Sequence, residues 1–230
     1  EIGALVLDPK LRRYGLGKPL SFVRFLFIAM YRDLFRDQVL AELMPPLTRD
    51  GRSRLWEHVG KRFTGLPYQE ADKLSQKNKE FIISLFPQAI HATLLPDDVA
   101  SLIGKVGQDT LPVRRMLEKV GFRYSNRIDP FDGGPHFESP TDDVSTVANT
   151  KQLPVGRRTL HSADEGAILR KETRRGLKRV LVALGRPKPP LHFQATIAAA
   201  RIEDDEVVLS EETRELLSLE LGQPVYVTEV

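Results

Sequence analysis

Two glycines one residue apart stand between a strand-like run and a helical one, and that order limits the fold more than any other feature of the chain. Ile2 to Leu7 (IGALVL) is a short apolar run closed by Asp8-Pro9, the pattern of a buried strand. Arg12-Arg13-Tyr14-Gly15-Leu16-Gly17-Lys18-Pro19 follows, where the glycines permit positive φ and Pro19 suits a first helical turn. Leu20, Val23, Phe27, Met30 and Leu34 then recur at helical steps, and Gln38 to Met44 reads as the next strand. Strand, crossover helix and strand predict a βαβ unit with parallel strands.

The remainder is less regular. The spacing predicts helices over Arg54–Phe63, with the only Trp, over Asn78–Phe86, over Val99–Lys105 behind Asp97-Asp98, and over Pro112–Val120, ended by Gly121. Phe122–Ile128 reads as a strand and Pro130–Pro135 (PFDGGP) as a turn-rich loop. From Ser139 to Pro190 the pattern weakens. Arg157 to Arg179 holds eight basic and three acidic residues, and Arg186–Pro190 reads as a stiff linker. The tail predicts strands over His192–Arg201, Glu206–Leu209 and Val225–Val230, with Ser210 capping a short helix. The fold class is therefore α/β (α+β), divided into 1–138, a basic linker region 139–190, and a strand-rich subdomain 191–230.

Composition removes several function classes. With no cysteine among 230 residues, thiol nucleophiles, disulfides and Cys-ligated metals are excluded. The apolar run Phe25–Tyr31 is bounded by Arg24 and Arg32, far short of the about 20 residues of a spanning helix. His58, His91, His136, His161 and His192 are scattered, with no HxxxH or HExxH pair, so no metal site is expected. The net charge of +3 is mild. The basic stretch lacks interleaved aromatics, which favours a solvated face over nucleic-acid binding. No signal peptide is visible, and the opening inside a strand-like run at Glu1 reads as the later part of a longer protein.

The turn R-x-x-G-x-G exposes backbone N–H groups at a helix start, where a phosphate can sit, with Arg12, Arg13 and Lys18 adding charge. It lacks the GK[ST] of a P-loop and the third glycine of a dinucleotide fingerprint. A glycine turn among solvated arginines is the plain alternative. A second motif, L-E-K-x-G-F (Leu117–Phe122), joins a helix end to a strand. In this order the two resemble the GCN5-related N-acetyltransferase superfamily. The segments ALVLDPKLRRYGLG, FLFIAMYRDLF, AELMPPLTRDGRSRLWEHVGKRF, VRRMLEKVGFRY and IDPFDGGP are similar to the arginine N-succinyltransferase family within it. The similarity is dense over residues 1–138 and returns in the tail.

The resemblance implies transfer of a succinyl group from succinyl-CoA to the α-amine of arginine, in the cytoplasm and without a metal. It implies acyl contacts at Leu5, Val6 and Leu7, with a backbone N–H there as oxyanion donor. Pyrophosphate would be held by Arg12, Arg13, Tyr14, Gly15, Leu16, Gly17 and Lys18. The family's proton-donor histidine falls on Gly107, which cannot transfer a proton. Glu42 and Asp109 are the candidates left for proton transfer, against the plain readings of a paired Glu42 and a solvated Asp109. Asp129 and Asp132 are candidates to meet a guanidinium, against the plain reading of Asx-turn residues. The alternatives are an acyltransferase acting on ornithine or another amine, and a CoA-fold partner or regulatory subunit without catalysis. Family members carry further strands before the segment matched here. An upstream segment or a partner chain, in a possible oligomer, is therefore expected to cover the edge of the Ile2–Leu7 strand.

Overall fold

Why the first helix begins where it does is visible in its approach. In the computed structural model, which describes residues 1–3, 5–78, 80, 89–170, 176–186 and 192–230, Asp8 caps a tight 3-10 turn, Pro9–Tyr14, by accepting from Lys10 N at 2.8 Å. Gly15 then takes φ +68°, a left-handed conformation that strains a residue with a Cβ. The chain turns there into the helix Gly17–Met30. Its buried side chains include Phe22, Phe25, Leu26 and Ile28. The row expected to lead, Leu20, Val23, Phe27 and Met30, is half-buried, and Leu34 lies beyond the helix and is exposed. Apolar residues surround most of this helix, so periodicity alone could not choose the deeper face.

The chain divides into two compact units, one of Glu1–Gly3 and Gln38–Pro140, the other of Ala4–Asp37 and Thr141–Val230. These bounds differ from the sequential division drawn above: the first helix groups with the C-terminal strands.

In the first unit, β1 (Gln38–Glu42), β2 (Arg123–Ile128) and β3 (Pro135–Pro140) form an antiparallel sheet in the order β1-β3-β2. The predicted βαβ unit is not formed. Ile2–Leu7 is not a strand among the described residues, although Ile2 N donates to Leu40 O of β1 at 2.8 Å. The chain passes from one unit to the other after Gly3, so the apolar run is not laid along a single ladder. Among the described residues, two side-chain clusters pack beside the sheet in this unit. One is Trp56, Tyr68, Ala71 and Phe131; the other is Leu55, Val59 and Val99. The expected helix Arg54–Phe63 is two short ones, Arg54–His58 and Gly60–Thr64, broken at Val59. Ser53 caps the first by accepting from Trp56 N. The helix Leu111–Lys119 ends as expected, with Phe122 N donating back to Leu117 O across Gly121.

In the second unit, β4 (Lys151–Leu160), β5 (Lys178–Arg186), β6 (His192–Glu203), β7 (Glu206–Ser210) and β8 (Pro224–Glu229) close a barrel in the order β4-β7-β6-β5-β8. Its core is Val155, Val180, Val182, Ala198, Ala200, Val207, Leu209, Val225 and their neighbours. The three tail strands and the Ser210 cap, which accepts from Thr213 N at 3.1 Å, are as the sequence predicts. The region read as a basic linker is corrected: it supplies β4 and β5. Its basic residues pair across the barrel surface, Arg158 with Glu203 at 2.7 Å and Lys178 with Glu229. The helix expected over Asn78–Phe86 lies outside the described residues apart from Asn78 and Glu80. The linker lies outside them apart from Arg186, which ends β5.

Candidate active site

The glycine turn belongs to the second unit and the acidic candidates to the first; each is taken by itself. At the turn, the helix Gly17–Met30 starts without a side-chain cap and without an acidic residue in its first turn. The positive end of its dipole therefore keeps its attraction for an anion. Gly17 does not need to be glycine for its backbone, and a Cβ there would meet no atom within 4 Å. Arg12 is exposed, its Nε 3.4 Å from Leu7 O, and Tyr14 is exposed. Lys18 is exposed, with its ammonium 5.0 Å above the Phe22 ring. Gly15 and Leu16 are half-buried. The Arg13 side chain lies outside the described residues. Leu5 is 41% and Val6 80% exposed, while Leu7 is half-buried.

In the first unit, β1 and β3 set the geometry. Val39 and Ala41 face Ser139 and Phe137 on the buried side of the sheet. Alternation puts Glu42 and His136 on the opposite face, and the register makes them direct cross-strand partners. His136 Nε2 lies 3.4 Å from Glu42 Oε1, and the two side chains are 16% and 41% exposed. Nε2 itself is buried and makes no aligned hydrogen bond. The pair thus sits at ion-pair distance without hydrogen-bond alignment.

The loop leading into β3 carries Asp129 and Asp132. Asp129 Oδ1 accepts from Phe131 N and Asp132 Oδ1 accepts from Gly134 N, both at 2.8 Å. These are successive Asx turns, the plain reading of both residues. The Tyr68 hydroxyl donates to Asp132 Oδ2 at 3.2 Å. Burial pushes the Asp132 carboxyl up to about 6 and raises that of Asp129. Burial, then the Asp132 charge, raises the Tyr68 hydroxyl. Asp132 feels the charges of Asp129 and Glu42, and Asp129 feels that of His136. Glu42, Asp129, Asp132 and His136 are therefore one electrostatic group at one end of the sheet.

Gly107 lies beside the chain just beyond β1. Its N–H donates to Met44 O at 2.9 Å. A Cβ at this position would fall 2.7 Å from Pro45 O and 3.2 Å from Met44 O. Backbone does not yield as a flexible side-chain end does, so glycine is required here for packing. Gly107→Ala is expected to destabilise the protein by about 1–3 kcal/mol, as overpacking does. A thermal melt unchanged from the parent would show that the backbone gives way. Asp109 is exposed in the turn Gln108–Thr110 and has no ion pair or hydrogen bond among the described residues.

The sequence pointed to Glu42 and passed over His136. The histidine's signal is its place opposite Glu42, and that depends on a register between strands about a hundred residues apart. Among the described residues, no group of three or more His, Asp and Glu side chains suits a metal ion.

Comparison with known proteins agrees over both units. The family model described as the arginine N-succinyltransferase beta subunit matches residues 1–146. That described as the C-terminal domain of the same subunit matches residues 167–229. The arginine N-succinyltransferase of Escherichia coli O1:K1 / APEC is 41% identical over 157 residues, which is 67% of this chain and 46% of that protein. The arginine N-succinyltransferase of Citrobacter koseri is 40% identical with the same coverage. The chain thus spans about half the length of the curated relatives it matches. A solved structure, arginine/ornithine succinyltransferase subunit AI from Pseudomonas aeruginosa, superposes with a TM-score of 0.74 at 26% identity, over 97% of this chain and 60% of that one.

Proposed function

The chain belongs to the family of the arginine N-succinyltransferase beta subunit, and from that premise we propose that its protein is an N-acyltransferase that moves a succinyl group from succinyl-CoA to the α-amine of arginine. The observation that carries the reading is the family match over residues 1–146, which takes in both the glycine turn and the 129–134 loop. The uncapped helix start at Gly17 supports an anion site for the CoA pyrophosphate, with Arg12, Arg13 and Lys18 adding charge. Leu5, Val6 and Leu7 would lie along the acyl chain, one backbone N–H stabilising the oxyanion. Asp129 and Asp132 would meet the guanidinium. Leu5 and Val6 are exposed here; an upstream segment or a partner chain would cover them. In this reading the protein works in the cytoplasm, where its co-substrate is made.

The reaction is aminolysis of a thioester. The attacking nitrogen must be neutral, its second proton must be taken up, and charge growing on the carbonyl oxygen must be met by a donor. Ornithine is the second acceptor to test, because the Pseudomonas aeruginosa neighbour is named for both amines.

The test uses the complete protein that contains this chain. Calorimetry with CoA is expected to show binding, weakened at least about tenfold, or about 1.4 kcal/mol, by Gly17→Glu. The variant adds a carboxylate in open space at the first helical position, where it leaves the helix intact but repels a diphosphate. Equal heats for both proteins would reject the site. Formation of N-succinylarginine separates an enzyme from a CoA-fold partner without catalysis.

A further inference from the structure

We propose that His136, held by Glu42, is the group that takes the proton from the attacking amine; this rests on the acyl-transfer reading above. The chemistry needs a proton acceptor that works near neutral pH, and imidazole is the side chain whose ordinary titration lies there. In the first unit the titratable and charged groups around His136 include Glu42 across the strand pair, Glu138 two residues on along the same face of β3 with Arg127 of β2 at 3.6 Å from it, Asp129 and Asp132 in the preceding loop, and Tyr68 on Asp132. Glu1 and Asp72 act on Asp129 from further off. The two aspartates have loop N–H groups to hold, and Asp132 also receives the Tyr68 hydroxyl. The hydroxyl of Tyr68 remains protonated.

His136 is differently placed. Its Nε2 is buried toward the Glu42 carboxylate, so the exposed part of the ring lies elsewhere. A carboxylate facing Nε2 favours the tautomer with the hydrogen on Nε2 and leaves the Nδ1 lone pair available. A carboxylate that orients an imidazole while the far nitrogen handles protons is a recurrent catalytic arrangement. The 3.4 Å separation is long for a hydrogen bond, and such bonds commonly tighten once substrate is bound.

The step balances as follows. The amine, already neutral, forms the nitrogen–carbon bond with its lone pair, and the carbonyl π pair moves to oxygen. His136 Nδ1 accepts the proton from the now cationic nitrogen. On collapse the carbonyl reforms, the carbon–sulfur pair leaves with sulfur, the thiolate takes a proton from solvent, and the imidazolium gives its proton back to solvent. The products are an amide and CoA thiol, with His136 neutral again. Glu42 is a positioning residue and exchanges no proton.

The test is steady-state kinetics of the complete protein with succinyl-CoA and arginine. His136→Gln is expected to lower kcat by about 10²–10⁴-fold, with KM for succinyl-CoA held within about twofold. It should also abolish the acid limb of the kcat–pH profile. Asp132, pushed up to about 6 by burial, is the other group that could give such a limb, so Asp132→Asn is the control: its profile must keep the limb. Added imidazole should restore part of the activity of His136→Ala. Glu42→Gln should lower kcat at least about tenfold with KM kept, and it carries the test if the His136 variants melt early. A His136→Gln enzyme within about threefold of the parent, or one that keeps its acid limb, overturns the inference and leaves the acyl-transfer reading standing. If the parent protein succinylates neither arginine nor ornithine, that reading fails and the inference falls with it.

Discussion

Trp56→Ala is expected to cost the first unit about 3–5 kcal/mol, the range for removing a large buried aromatic, and to lower the melting temperature by roughly 10–20 °C. Trp56 is fully buried. Its ring lies 4.3 Å from that of Phe131, its Nε1 donates to Leu66 O at 2.9 Å, and Gly60 packs directly on the indole. A Cβ at Gly60 would fall inside the indole. The break between the helices Arg54–His58 and Gly60–Thr64 therefore lies where the backbone makes way for this side chain. Coupling follows from that contact. Gly60→Ala should be severe in the parent and much milder once Trp56 is alanine, giving an interaction energy of about 1–3 kcal/mol in a double-mutant cycle. Phe131 stacks on the same ring from within the 129–134 loop, so losing Trp56 should also loosen the turn that fixes Asp129 and Asp132. Calorimetric melts of the four proteins decide it; additive losses, or a fall of only a few degrees, would show that the indole is not the centre of this core.

The features legible in the sequence were those set by neighbours along the chain. Pro19 and the Gly15 turn marked the helix start, Gly121 marked a helix end, Ser210 marked a cap, and the tail strands fell close to their expected bounds. What escaped depends on partners far away in sequence. The predicted parallel unit failed because β1 pairs with β3, about a hundred residues on, and Ile2–Leu7 is not a strand among the described residues. The same long-range register sets His136 against Glu42, so a scan of histidine spacing along the chain could not find the pair. In β5 an apolar run, Val180–Leu184, lies between charged flanks, within the region read as a basic linker, and in β4 Pro154 and Gly156 interrupt the alternation that marks a strand. Gly107 looked like a lost functional side chain. In the structure it is a close approach to the backbone of Met44 and Pro45, which leaves no mark in composition or periodicity. The reverse holds for Asp129 and Asp132: their Asx-turn reading was local, and the turns are present.

Asp132 ties this loop to pH, and the sign can be worked out. Its carboxyl, ordinarily at 3.8, is pushed up to about 6 in the folded state, chiefly by burial. Below about pH 4 both the folded and unfolded states hold the proton. Between about pH 4 and 6 the folded state holds it more tightly, so the unfolded state binds fewer protons and stability falls as pH rises. Above about pH 6 the loss is complete; a rise of this size corresponds to about 3 kcal/mol. Asp129, also raised by burial, adds to the same slope. Asp132→Asn keeps an oxygen for Gly134 N and a polar group for Tyr68 but has nothing to ionise. The variant should therefore match or trail the parent near pH 4 and gain on it by about 3 kcal/mol toward pH 7. Denaturant midpoints of both proteins across pH 4–7 measure that difference directly. Parallel curves would mean that the carboxyl ionises in the fold at its ordinary pH, and that burial of the 129–134 loop costs it nothing.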